Sequence, residues 1–142
     1  MALVVAFYRV GLETLTPSSW AIRATDEVLL IGHGTGWTFD DTDSTLTDLA
    51  LGSTELAAVA YSRKALVPGT PVYSAGRWSL PLAATVWPTL GAAEDVAAVV
   101  GFEAGVDDTV SYPLWAIYDD GGDPIVTLDG TDLTVSYNLG VT

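Results

Sequence analysis

The stretch "IGHGTGWTFDDTDSTL", Ile31 to Leu46, gathers the residue types that do chemistry: alternate glycines at Gly32, Gly34 and Gly36, the chain's only histidine, His33, and the carboxylates Asp40, Asp41 and Asp43. Phosphate binding is the first chemistry such a glycine pattern suggests. A dinucleotide fingerprint or a P-loop needs a long helix after the glycines, and the P-loop also needs a Lys behind its last Gly. Here the glycines run G-x-G-x-G and are followed by "WTFDDTD". Those carboxylates would repel a phosphate, so the segment reads as a turning loop loosened by glycine.

Calcium is the second chemistry, through Asp40, Asp41, Asp43 and Asp48. An EF-hand loop places Gly at its sixth position and Glu at its twelfth. Counted from Asp41, those positions hold Leu46 and Gly52. An irregular calcium site in this loop, or one built from Asp119, Asp120 and Asp123, stays open beside the simpler reading of turn aspartates bonding their own backbone.

Acid–base and nucleophilic work would have to pass through His33. It has no second histidine and no cysteine to share a zinc ion with. No serine of the chain stands in a G-x-S-x-G elbow. Glu94, Asp95 and Glu103 could pair as glycosidase carboxylates, for which a separation of about 5 to 9.5 Å suffices, but they also read as a solvated loop before a strand. The expectation is no enzyme, no catalytic residue, no cofactor and no metal.

The elements that carry these residues read as short strands. The chain of 142 residues fits a single domain, which at this size buries roughly 70% of its unfolded surface. It has no Cys, no Gln, one Lys and one Asn, while Thr, Ser, Asp and Gly supply most of the polar surface. Such a composition disfavours long surface helices and suits strands joined by tight turns. Strands are expected at Glu27 to Ile31, Leu56 to Val67, Val72 to Tyr73, Trp78 to Leu82, Thr85 to Trp87, Asp95 to Gly105, Leu114 to Tyr118, Ile125 to Leu128 and Leu133 to Tyr137. Asp95 to Gly105 is apolar almost throughout and should lie mid-core, buried on both faces. In the last strand Leu133, Val135 and Tyr137 alternate with Thr134, Ser136 and Asn138, which gives one dry face and one wet face. Pro17 and Ser18 mark a turn. A short helix is expected from a cap at Asp43 or Ser44 to a stop at Gly52. The expected fold is all-β: an antiparallel β-sandwich, jelly-roll or immunoglobulin-like, with one short helix and an extended N-terminal segment.

Charge narrows the partners. The net charge is −13, and from Trp78 onward the chain holds ten carboxylates and no cation. Nucleic acid and anionic membrane surfaces are therefore excluded as partners. The opening "MALVVAFYRV" lacks the cationic start and cleavage site of a signal peptide, so synthesis in the cytoplasm is expected. Five Trp are more than so small a core should hold, with three expected inside. Surplus aromatics serve as anchors at interfaces. The apolar run at the N-terminus needs a slot in the sheet or a neighbour's surface, so residues 1–15 are read as an assembly arm. Deleting Met1 to Arg9 is then expected to abolish assembly and leave a folded domain. The interface residues expected are Leu3, Val5, Phe7, Tyr8, Trp37 and Phe39.

Residues 55 to 142 carry a resemblance. "AYSRKAL" (Ala60 to Leu66), "VAAVVGFEAG" (Val96 to Gly105), "SYPLWAIYDDGGDPI" (Ser111 to Ile125) and "DGTDLTVSYNLGV" (Asp129 to Val141) follow one another in a set order. That order resembles small structural proteins of tailed bacteriophages, whose genes lie among those for head and tail. The resemblance implies a β-sandwich in the virion and no enzymatic activity. The role it implies is a capsid decoration protein that binds and stabilises the outer face of the head shell. The partners would be the major capsid protein or other virion subunits, with a homo-oligomer, trimer or higher, in the particle. A tail, neck, collar or fibre component is the alternative, and a receptor- or carbohydrate-binding module a second one.

Overall fold

The computed structural model of the chain describes residues 2–14, 25–91 and 94–141. The turn expected at Pro17 and Ser18, and Trp20, lie outside the described residues. In chain order the elements are β1 (Leu3–Phe7), α1 (Arg9–Thr14), β2 (Asp26–Gly32), a 3-10 helix (Leu46–Leu49), α2 (Leu51–Thr54), β3 (Lys64–Ala65), β4 (Val72–Ser74), β5 (Arg77–Leu80), β6 (Thr85–Trp87), β7 (Val96–Glu103), β8 (Tyr112–Asp119), β9 (Leu133–Val135) and β10 (Leu139–Val141).

The apolar β7 lies at the middle of a five-stranded antiparallel sheet of order β1-β8-β7-β2-β3. Two smaller antiparallel sheets, β10-β5-β4 and β6-β9, complete an all-β, sandwich-like fold. Alternation along the strands divides the core in two. Val28, Leu30, Val99 and Trp115 pack on one side with Leu80, Trp87, Leu133 and Leu139 of the small sheets. Leu29, Ile31, Ala98, Val100 and Ala116 pack on the other side with Tyr8, Leu46, Leu49 and Leu51. No helix among the described residues is long and apolar enough to cross a membrane.

Two irregularities in the central sheet bear on function. The β2–β7 register shifts between Ile31 and Gly32, which bends the end of β2 out of the ladder as the loop begins. The β7–β8 register shifts between Gly101 and Phe102, where Pro113 of β8 has no N–H to offer. Gly101 lies opposite Trp115, and a Cβ there would fall inside the indole ring. Glycine at this position is what admits a tryptophan to the core.

Several expectations are corrected. Leu56 to Val67 contributes only the two-residue β3, because Ala60 adopts a left-handed φ of 66° and breaks the extension. Ile125 to Leu128 makes only an isolated bridge, Val96 with Val126, rather than a strand. Among the described residues three short helical pieces stand where one was expected, and α1 follows β1 directly within the segment read as extended. Gly52 is inside α2 rather than a stop; the break falls at Ala50, whose φ of 54° separates the 3-10 helix from α2. Of the tryptophans, Trp87 and Trp115 are buried, while Trp37 and Trp78 are half-buried.

Candidate functional site

The residues of the opening stretch meet the end of β8 across a groove. The loop leaves β2 at Gly32, and two glycines in left-handed conformation, Gly34 (φ 80°) and Gly36 (φ 82°), turn it back over the sheet. Thr35 Oγ1 donates to Gly32 O at 2.8 Å, and His33 N–H donates to Asp95 O at 2.7 Å, which fixes the base of the loop. The turn brings Trp37 into a T-shaped contact with Tyr118, with ring centroids 5.8 Å apart. Phe39 stacks on the same tyrosine at 5.5 Å, and also touches Tyr8 at 4.8 Å.

The facing wall is the turn that follows β8. The Asp119 carboxylate accepts N–H bonds from Ala2, Gly121 and Asp123, which tie the start of β1 to this turn. The Asp123 and Ala2 donors hold its carboxyl below the ordinary carboxylate range. His33 Nε2 lies 3.2 Å from Gly122 O and links the two walls. Between them is a cavity of about 420 Å³. Its floor includes Trp37, Phe39 and Tyr118, and its rim His33, Asp120 and Asp123.

Of the acidic residues weighed for calcium, Asp40, Asp48 and Asp119 are occupied by their own turns, and Asp41 pairs with Arg9 at 3.0 Å. Asp40 accepts from Thr42 Oγ1 at 2.6 Å and from Thr42 N–H at 2.9 Å, and one Asp48 oxygen accepts from the N–H groups of Ser44 and Thr45 at 2.9 and 3.0 Å. These donors lower the pKa of both carboxyls. Asp43 differs: partial burial, with Asp40 and Asp48 nearby, raises its pKa to about 6. Among the described residues no three His, Cys, Asp or Glu side chains gather in metal-holding geometry. Glu94 accepts from Ala57 N–H at 2.8 Å and Asp95 from Leu128 N–H at 3.2 Å, so both carboxylates fasten loops to the sheet.

The expected interface residues separate into three groups. Leu3 and Val5 are exposed on β1, 58% and 41% respectively. Phe7 packs on the larger core, and Trp37 and Phe39 line the groove. Tyr8 is the correction: it is fully buried against Phe39 and the second core, so it cannot meet a neighbouring subunit. Sequence reasoning missed Tyr118 as the ring that joins Trp37 to Phe39, and missed that Asp120 and Asp123 face the opening stretch. The acidic Gly-Gly turn after β8 was a visible signal; its place across from the loop depends on strand order.

Comparison of the chain with family models, curated proteins and solved structures finds no match in any of the three.

Proposed function

We propose that this protein is a structural subunit of a tailed-bacteriophage particle, a capsid decoration protein that docks on the outer face of the head shell and stabilises it. The observation that carries an assembly role is the outer edge of β1. Ala2 O accepts from Asp120 N–H and Tyr8 N–H donates to Leu114 O, so alternation turns the main-chain groups of Leu3, Val5 and Phe7 away from β8. No strand among the described residues pairs with that edge. An open edge beside exposed Leu3 and Val5 is a template for strand addition by a neighbour.

The phage setting is supported by the ordered resemblance of residues 55 to 142. Its quoted segments include β3, β7, β8, β9 and β10. Docking of this kind buries on the order of 1,000 Å² per contact. Binding only the expanded shell would stabilise that state by mass action.

Quantifying this chain in purified particles tests the reading. A head decoration protein is present in hundreds of copies per particle. A copy number of about a dozen or fewer, set by a ring symmetry, would move it to the tail or neck, and absence from particles would remove the virion role.

A further inference from the structure

The groove is a different feature from the β1 edge, and its chemistry is more specific. We propose that it binds a cationic side chain, arginine or lysine, carried on an extended segment of a partner protein. The inference does not depend on which particle, if any, the chain belongs to.

Charge selects the class of ligand. The Asp120 and Asp123 side chains are exposed on the rim, and neither makes a hydrogen bond or ion pair among the described residues. Among the described lining residues His33 is the only Lys, Arg or His. Asp119 is already satisfied by three main-chain N–H groups, so the free carboxylates are the two at the mouth. A net charge of −13 extends the same preference into the surrounding solvent.

The floor selects the shape. Trp37, Phe39 and Tyr118 line the cavity, and an aromatic lining draws a guanidinium or ammonium whose N–H groups can reach the rim carboxylates. The cavity of about 420 Å³ has room for one long side chain with its flanking backbone. A neutral sugar could use the rings but would leave both rim carboxylates without a counter-charge.

The test is a titration of the full-length protein with acetyl-Gly-Arg-Gly-amide, followed by amide and indole NMR shifts. Shifts should concentrate on residues 33–39 and 118–123 and on the Trp37 indole N–H. They should weaken about fivefold in D120N/D123N, which removes two exposed ion-pair partners, and also weaken in high salt on the unaltered protein. Acetyl-Gly-Gln-Gly-amide should shift these resonances little. The proposal is overturned if the arginine peptide leaves the groove resonances in place, if the glutamine peptide shifts them equally, or if salt has no effect. It is also overturned if maltotriose moves the same resonances at lower concentration than the arginine peptide, since the groove would then be a glycan site.

Discussion

Trp37 meets Tyr118 edge to face, centroids 5.8 Å apart and planes at 79°, and this contact joins the glycine loop after β2 to the end of β8. The two residues are far apart in the chain, and the pair forms part of the floor of the groove. Trp37 is half-buried and outside the main core, so W37A should stay folded. The expected cost is about 1–2 kcal/mol, from the lost ring pair and part of the buried area. Denaturant unfolding measures it, and a loss of cooperative unfolding would contradict a peripheral role.

Gly101 should be the least replaceable glycine of the central sheet. G101A forces a methyl group into the Trp115 indole across the β7–β8 ladder. Overpacking of this kind costs about 1–3 kcal/mol. W115F in the G101A background should recover part of the loss, whereas strictly additive effects would show that the two side chains do not compete for the same space.

Asp43 sets a pH dependence of unusual sign. Its folded pKa of about 6 lies above the ordinary 3.8, because burial and the charges of Asp40 and Asp48 disfavour its ionised form. The folded state therefore holds this proton more tightly than the unfolded chain, and the group's contribution improves as pH falls from about 6 towards 4. Asp40, Asp48, Asp108 and Asp119 are shifted downward and act oppositely, with stability lost as pH falls below their ordinary range. D43N should be more stable than the parent at pH 7, by on the order of 1 kcal/mol after allowing for solvent screening. That advantage should vanish near pH 4. Thermal unfolding at both pH values checks it, and an equal gain at each would refute the electrostatic cause.

The β1 edge calls for surface substitutions rather than a deletion. Removing Met1 to Arg9 would take away buried Tyr8 along with the strand, so loss of assembly in that variant would report loss of fold. L3K/V5K instead places charge on exposed positions while leaving the β1–β8 ladder intact. The variant should unfold at nearly the parent midpoint but fail to bind particles stripped of this protein. Undiminished binding would exclude the edge as the contact.

Where local pattern decides structure, the sequence was legible. The unbroken apolar run of β7 places it mid-sheet, and Leu133, Val135 and Tyr137 alternate in burial with Thr134, Ser136 and Asn138 as period two requires. Leu56 to Val67 misled, because only its β3 portion joins a ladder. Tyr61 Oη donates to Glu55 at 2.7 Å and accepts from Leu30 N–H at 3.1 Å, while Arg63 pairs with Glu55 and Asp108. Side-chain bonds hold that segment against the sheet, and hydrophobic pattern does not encode them. The groove was half legible. Trp37 and Phe39 stood out as surplus aromatics, but Tyr118, Asp120 and Asp123 join them only through the pairing of β2 with β7 and β7 with β8.

The central claim, that this fold docks on a phage shell through the β1 edge, is tested most directly by imaging the particle at a resolution that traces subunits. The account predicts many copies on the outer face of the head, each with Leu3 and Val5 against a neighbouring chain. Particles in which the chain is absent, or present with β1 facing solvent in every copy, would contradict it.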